Sequence, residues 1–156
     1  MPSSPGPLLI AYDGSDNAKH AIAVAGRSLA THPALVVSVW ESVWALAYRH
    51  PMPGDFRITQ EVVEEMDEGA REAAEQAAAE GVELARSAGL EAEPLAHRSD
   101  HGVHEAIVEL AHEREAGVVV VGTRGRSGVQ SVLLGSVSYG VVHHCRRPVL
   151  TVPPLE

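Results

Sequence analysis

The sequence predicts an α/β fold in which an open, parallel β-sheet carries helices on both faces. Short apolar segments alternate along the chain with amphipathic segments of helical period, the order typical of parallel strands joined by helical crossovers. The chain has 156 residues, which fits one domain, and no break in composition divides it. Apolar residues make up 45% and charged residues 21%, as in ordinary globular proteins. We therefore expect a single domain over residues 1–156, with residues 1–6 forming a flexible tail.

The first elements are a strand, a helix and a second strand. Apolar residues 8–12 predict a strand that ends at the turn Asp13-Gly14-Ser15. Ser15 is a good N-cap, and the residues after it carry apolar side chains at helical spacing as far as Leu29. Residues 34–40 are rich in valine and almost entirely apolar, which is typical of a strand covered on both faces.

The middle of the chain is predicted to contain an irregular connection, a long helix and a third strand. Residues 41–55 include two prolines and a glycine, which favour an irregular connection. Residues 58–89 have an apolar stripe at helical spacing and glutamates on the other face. Gly69 and Gly81 should each weaken this helix by about 1 kcal/mol relative to alanine. Residues 91–98 then form the third strand.

The last third of the chain alternates helix, strand, helix and strand. Residues 103–111 carry apolar side chains at i, i+3, i+4, i+7 and i+8, and four valines at 118–121 predict a buried strand. Residues 135–144 form the last helix and residues 148–152 the last strand. Parallel sheets of this kind bind ligands at the carboxyl ends of their strands, which directs attention to the segments that follow them.

Charge is distributed unevenly along the chain. The net charge is −9, and residues 61–93 carry all of this excess, with eleven acidic and two basic residues. Residues 116–155 contain four arginines and no carboxylate side chain. This pattern disfavours nucleic acid as a partner and permits a local site for a small anion. A single cysteine, Cys145, and the lack of a long apolar run or signal-peptide pattern lead us to expect a cytoplasmic protein without a membrane partner.

A glycine-bearing segment follows the fourth strand and leads into the last helix. Glycines at 122, 125 and 135 would allow positive φ angles and let the backbone come close to a ligand. Free amides of the segment and of the helix start would then face phosphate oxygens. Ser136 is placed to cap the helix and offer its hydroxyl to the same anion, while Arg124 and Arg126 add positive charge. A merely structural tight connection is the alternative interpretation of these residues.

Three better-known glycine motifs are absent. No G-x-G-x-x-G follows the first strand, so the dinucleotide-binding fingerprint is missing. The Walker motif needs a lysine after its last glycine, whereas the one lysine of the sequence is Lys19. Val129 stands where the nucleophile elbow of hydrolases requires its second glycine. With no evident nucleophile or base, the sequence predicts no catalytic residues.

The spacing Gly122-x2-Gly125-x9-Gly135-Ser136, between a valine-rich strand and a helix, resembles the ATP-binding branch of the universal stress protein family. Residues 9–15 and the long acidic helix resemble the family as well. The resemblance implies a Rossmann-like sheet of five parallel strands in the order 3-2-1-4-5. It further implies a regulatory homodimer in stress response, joined through its last strands at Val149–Val152, with ATP hydrolysis slow at most.

The resemblance also implies which residues contact the nucleotide. Asp13 would lie near the ribose, or near a magnesium ion bound to the phosphates, and the backbone of Val39 would meet the adenine. Gly122 would approach the ribose. Three further residues would hold the phosphates: Gly125, Gly135 and Ser136. The remaining candidates for this site are Arg124, Ser127, Gly128 and Ser131.

Several alternatives stay open at this point. The chain would be a nucleotide-free interaction module if the glycines were purely structural, or an adenylating enzyme if a further substrate domain or a basic or histidine signature existed. Asp13 would then be a turn former only. Trp40 and Trp44 would either stack on a base or pack against the protein. The nearest histidine cluster is predicted to be a surface feature and not a metal site: His97, His101 and His104.

Overall fold

The computed structural model describes residues 6–51, 53–54, 57–126 and 134–155. Five strands form one sheet in the order β3-β2-β1-β4-β5, and every neighbouring pair is parallel. The predicted fold class and strand order are therefore confirmed. The strands are β1 (Leu8–Ala11), β2 (Ala34–Glu41), β3 (Ala92–Ser99), β4 (Val118–Gly122) and β5 (Val149–Val152).

Residues 1–5 of the predicted tail lie outside the described residues. Gly6 packs against the turn before β4, where a Cβ on Gly6 would lie only 2.8 Å from the amide nitrogen of Gly117. Within the described parts of the chain, none of the helices combines the length and apolar content needed to cross a membrane.

Five helices are present in the described residues, and four match the predicted ones to within two residues at either end. The fifth is α2, and it corrects the prediction of an irregular connection. Its sequence contains neither glycine nor proline, and Ser42 caps it by accepting a hydrogen bond from the Ala45 amide (3.2 Å). The helices are α1 (Asp16–Leu29), α2 (Val43–Arg49), α3 (Gln60–Ser87), α4 (Val103–Glu113) and α5 (Ser136–His144).

The core lies in two layers, one on each face of the sheet. Side chains of β1 alternate between them, so that Leu8 and Ile10 pack under α1 and α3 while Leu9 packs under α4 and α5. All three side chains are fully buried. Burial on both faces explains why the strand sequences show continuous apolar runs and no alternation with polar residues.

The two glycines of α3 have different surroundings. A Cβ on Gly81 would lie 2.7 Å from Cγ1 of Val36 and 3.0 Å from Cδ1 of Tyr12, whereas a Cβ on Gly69 would meet nothing within 4 Å. Gly81 therefore lets α3 pack closely on the sheet. Only Gly69 is an ordinary helix-weakening glycine.

Helix α2 is held in place by contacts with distant parts of the chain. The Val43 amide donates to Oδ1 of Asp67 on α3 (2.8 Å), and the Ser42 hydroxyl donates to Oδ1 of Asp100 after β3 (3.0 Å). The Arg98 guanidinium donates to the same Asp100 oxygen (3.1 Å). The hydrogen bond from Ser42, and to a lesser degree Arg98, holds the pKa of the Asp100 carboxyl below its ordinary value.

We expect the Asp100→Asn variant to be less stable than the wild type at about pH 7 and to lose this difference at about pH 2. Folding lowers the pKa of Asp100, so the carboxylate stabilises the fold above its ordinary pKa and ceases to do so as the pH falls through the folded-state pKa. Because 54% of the side chain is exposed, the difference should be at most about 1 kcal/mol. Urea unfolding of both proteins across this pH range measures it. A difference that stayed constant down to the lowest pH would contradict the prediction.

Candidate functional site

A cavity of about 430 Å³ opens at the carboxyl ends of β1, β2 and β4. β1 and β4 are neighbours in the sheet although two strands separate them in the chain, so the cavity lies where the strand order reverses. This is the usual ligand position in open parallel sheets. Six of the predicted site residues line the cavity: Asp13, Val39, Gly122, Arg124, Gly125 and Ser136.

The cavity has an apolar side and a polar side. Side chains from β2, β4 and α4 form the apolar side, and a flat apolar group such as an aromatic base would suit it. These residues are Val37, Val39, Val103, Ile107 and Val121. The polar side comes from the end of β1, the segment after β4 and the start of α5. Its residues include Asp13, Thr123, Arg124, Arg126, Ser136 and Ser138.

Asp13 forms the turn after β1 and also lines the cavity. Its Oδ1 accepts a hydrogen bond from the Ser15 amide (2.9 Å), and Gly14 takes the positive φ of 81° that this turn requires. Ser15 then caps α1 by accepting from the Ala18 amide (3.2 Å), as predicted. Oδ2 of Asp13 faces Gly125, where a Cβ would lie 3.2 Å from it. The turn-forming role and the site-lining role therefore belong to different oxygens of one carboxylate.

Three amides of the glycine-bearing segment already have internal acceptors. Thr123 donates to the Val152 carbonyl (2.9 Å), Arg124 donates to Oδ1 of Asn17 (2.7 Å), and Gly135 donates to the Thr123 carbonyl (2.6 Å). These amides face the protein, so they are not donors for a ligand in this conformation. The predicted free amides of this segment therefore do not include those of Thr123, Arg124 and Gly135.

The start of α5 presents the remaining donors. The predicted cap at Ser136 is wrong: Gly135 is the N-cap, no side chain caps the helix, and Ser136 is its first residue. A capping side chain must come from the residue before the helix, and glycine has none. The Ser138 hydroxyl instead donates to the Gly135 carbonyl (3.0 Å). The first-turn amides of a helix lack intrahelical acceptors, and residues 136–138 line the cavity.

The three glycines of the motif serve close approach and not unusual backbone angles. None of them has a positive φ, so that part of the prediction is wrong for Gly122, Gly125 and Gly135. A Cβ on Gly122 would lie 2.9 Å from Cγ of Asn17, and one on Gly135 would lie 3.1 Å from the Thr123 carbonyl oxygen. A side chain at Gly135 would thus press on the backbone after β4.

Two buried polar residues that hold the walls of this site, Asn17 and Ser138, are not among those predicted from the sequence. Asn17 stands in the first turn of α1, directly after the cap and an acidic residue, where polar side chains normally face solvent. No pattern in the sequence distinguishes it from a solvated residue. Only its position beneath Gly122 in the fold does so.

Other predicted candidates lie away from the cavity or outside the described residues. The Arg98 guanidinium lies over the ring of Trp40, with 5.8 Å between Cζ of Arg98 and the ring centre. Trp44 is 61% exposed. Neither lines the cavity. Three candidates, Ser127, Gly128 and Ser131, fall in a segment that is not described.

No cluster of histidine, cysteine and carboxylate side chains in the described residues could hold a metal ion by itself. The three histidines near the end of β3 and the start of α4 were predicted to be surface residues: His97 and His104 are half-buried and His101 is exposed. The ring of His104 stacks on His144 of α5, with ring centres 5.7 Å apart.

Tyr12 lines the cavity with a side chain that stays uncharged. Burial, together with a hydrogen bond to Oε1 of Glu80 (2.8 Å), raises the pKa of its hydroxyl well above the ordinary value. The same hydrogen bond, with help from Lys19, lowers the pKa of the Glu80 carboxyl. Tyr12 therefore stays protonated at neutral pH and contributes a fixed aromatic face.

Comparison with known proteins identifies the family. The model of the universal stress protein family matches residues 6–153 of this chain. The chain belongs to the universal stress protein family. The universal stress protein in the QAH/OAS sulfhydrylase 3′ region of Thermus aquaticus is 37% identical over 150 residues, which cover 93% of this chain and 96% of that protein.

Solved structures share the fold of this universal stress protein. MJ0577 of Methanocaldococcus jannaschii superposes with a TM-score of 0.77 at 18% identity and covers 99% of both chains. A universal stress protein solved in complex with cAMP superposes with a TM-score of 0.66 at 26% identity, over 96% of this chain and 98% of that one. The predicted family and fold are therefore confirmed.

Proposed function

We propose that this universal stress protein binds an adenine nucleotide, ATP, in the cavity at the ends of β1 and β4. The observation that carries the proposal is the pairing of an apolar wall with a polar wall in one cavity of suitable size. The apolar wall suits a base, and the polar wall combines a carboxylate with helix-start amides. The cAMP complex of a relative with the same fold supports an adenine nucleotide as the ligand.

The adenine would lie against the wall of β2 and α4, with the backbone of Val39 at its edge. The ribose would lie between Asp13 and Gly122 at the carboxyl ends of β1 and β4. With the adenine and the ribose in these positions, the phosphates would lie near Gly125 and the start of α5. All of these residues except those of the undescribed segment surround one cavity.

The phosphates would be held mainly by uncharged donors. The first-turn amides of α5 point out of the helix start, where the helix dipole also favours an anion. Arg124 and Arg126 line the same cavity, and residues 116–155 contain no carboxylate side chain that would oppose the phosphate charge. Ser136 adds a hydroxyl within the first turn.

Magnesium would enter this site only together with the nucleotide. Asp13 supplies one carboxylate oxygen that is not used by the turn, and Mg²⁺ is commonly held by one or two carboxylates together with substrate phosphates. A single carboxylate fits that arrangement. It does not fit a site that holds the metal without phosphate.

We also propose that two copies of the chain pair through Val149–Val152. β5 lies at one edge of the sheet and pairs with β4 alone among the described strands. An edge strand leaves a row of backbone donors and acceptors, and antiparallel pairing with a second copy would satisfy them. The cytoplasmic, regulatory role in stress response that we propose rests on family membership.

Native mass spectrometry of freshly isolated protein tests both proposals in one measurement. We expect an assembly of two 16.5 kDa chains that carries adenine nucleotide, retained in a buffer without added ligand. A protein that carries no nucleotide and takes up none on titration with ATP would contradict the binding proposal and favour a nucleotide-free interaction module. Turnover of ATP with Mg²⁺ at rates typical of enzymes, about 10 s⁻¹, would favour the adenylating alternative.

A further inference from the structure

Asn17 is a buried polar residue between three parts of the chain. Its side chain belongs to α1, and the residue is 6% exposed. Nδ2 donates to the Val152 carbonyl at the end of β5 (3.0 Å), and Oδ1 accepts from the Arg124 amide after β4 (2.7 Å). Asn17 does not line the cavity itself. Any effect it has on a ligand must therefore pass through the backbone that it holds.

The two hydrogen bonds of Asn17 determine where the segment after β4 leaves the sheet. The Val152 carbonyl accepts from Asn17 and also from the Thr123 amide (2.9 Å), so Asn17 and Thr123 converge on one oxygen. The backbone amide of Arg124 donates a hydrogen bond to Oδ1 of the same Asn17 side chain. Residues 123 and 124 are thus held by partners on α1 and β5, and Gly125 follows them directly at the cavity.

Gly122 leaves the space that the Asn17 side chain occupies. A Cβ on Gly122 would lie 2.9 Å from both Cγ and Oδ1 of Asn17, a separation that real Cβ atoms essentially never show. The backbone of Gly122 has no positive φ, so conformational freedom does not explain the glycine. The need for space beside the Asn17 amide does explain it.

We propose that Asn17 is a positioning residue for the phosphate end of the nucleotide site, and that the first glycine of the motif is required by Asn17. The inference rests on the proposed nucleotide-binding function. Asn17 holds the backbone of residues 123 and 124 so that Gly125 and the start of α5 face the phosphates. The two hydrogen bonds of the Asn17 amide go to Val152 and Arg124 and not to the base wall of β2 and α4, so we expect that wall not to depend on Asn17.

Removing the side chain should therefore weaken phosphate recognition selectively. Without Asn17 the Arg124 amide loses this acceptor, which releases the backbone of residues 123 and 124 from the position that the side chain holds. We expect Asn17→Ala to weaken ATP binding about tenfold or more, the equivalent of at least one lost oriented hydrogen bond. Adenosine, which lacks phosphates, should bind the variant with its wild-type affinity.

The test is isothermal titration of wild type, Asn17→Ala, Gly122→Ala and the double variant with ATP and with adenosine. Gly122→Ala should displace the Asn17 amide and weaken ATP binding as Asn17→Ala does. Because Gly122 also lines the cavity at the proposed ribose position, the comparison with adenosine is made with Asn17→Ala. Because both substitutions act on one interaction, the double variant should bind ATP no more weakly than Asn17→Ala alone. Losses of ATP affinity that add in the double variant would show that Gly122 and Asn17 act separately, and would overturn the claim that Asn17 requires the glycine.

The possible outcomes separate this inference from the proposed function. A wild type that binds neither ligand would overturn the proposed function, and the role of Asn17 with it. A wild type that binds ATP, with an Asn17→Ala variant of equal affinity, would overturn the role of Asn17 alone. Thermal unfolding of each variant shows whether it is folded at the titration temperature. If Asn17→Ala is not folded, Asn17→Ser, which keeps a polar group in the buried position but not the geometry of the amide, takes its place in the same titrations.

Discussion

Gly125→Val should abolish ATP binding and leave the fold intact. Gly125 lies between Asp13 and the start of α5, and a Cβ there would already lie 3.2 Å from Oδ2 of Asp13. The two methyl groups of valine would extend into the gap that the ribose and phosphates need. We expect the dissociation constant for ATP to rise by about a hundredfold or more, which is about 2.7 kcal/mol of lost binding free energy.

The stability of this variant should change little, because the site of substitution is exposed and its backbone is ordinary. Gly125 has no positive φ, so valine meets no conformational strain there, and among the described residues the atom that a Cβ would meet is Oδ2 of the half-buried Asp13. We expect a change in unfolding free energy within about 1 kcal/mol. Isothermal titration and urea unfolding measure the two quantities on the same samples.

Two further variants make the result specific. Gly125→Ala should give an intermediate loss of affinity, since its single methyl group reaches Asp13 without filling the gap. Gly69→Ala, on the exposed face of α3, should bind ATP as the wild type does. Tight binding of ATP by Gly125→Val would show that the phosphates do not pass between Asp13 and the start of α5.

Gly81→Ala and Gly69→Ala should change the stability of the fold in opposite directions, although both replace a glycine of α3 with a better helix former. At position 69 the new methyl group meets nothing within 4 Å, so the variant should gain about 0.5–1 kcal/mol from helix propensity. At position 81 the methyl group would lie 2.7 Å from Cγ1 of Val36. Overpacking of this kind costs about 1–3 kcal/mol, which exceeds the gain in propensity.

The cost at Gly81 is difficult to relieve because its neighbours are buried. Val36 is fully buried and Tyr12 is 3% exposed, so neither side chain has space to move aside. Denaturant unfolding of the two variants and the wild type gives the comparison. The gain in helix propensity is common to both variants, so their unfolding free energies should differ by the overpacking cost of about 1–3 kcal/mol. Equal changes of the same sign would mean that α3 does not lie against β2 at this point.

The sequence predicted well those features that depend on local pattern. Ser15 was placed correctly as the cap of α1, because an N-cap bonds to an amide three residues ahead. The predicted first and last residues of α3 and α4 differ from the observed ones by two positions at most. Three of the four motif residues, Gly122, Gly125 and Ser136, line one cavity at the carboxyl ends of the parallel strands, whereas Gly135 does not line it.

The predictions were wrong where a contact with a distant part of the chain, or the register of a helix, determined the local conformation. Residues 43–49 are helical although prolines follow closely, because Asp67 of α3 and Asp100 after β3 hold the start of that helix. Ser136 was expected to cap α5, but the register of the helix makes Gly135 the cap. Each outcome depends on a geometry that neighbouring residues alone do not set.

The sequence by itself determined the order of strands and helices, the parallel sheet and the place of the candidate site. Periodicity, propensity and the short reach of helical crossovers act over a few residues, so they are visible in the chain. The tertiary structure alone decided which amides of the glycine-bearing segment are used internally. The acceptors of Thr123 and Arg124 are the Val152 carbonyl and Asn17, and Asn17 is 107 residues from Arg124 along the chain. A hydrogen bond between residues so far apart depends on the folded position of both, and this position determines which donors remain for a ligand.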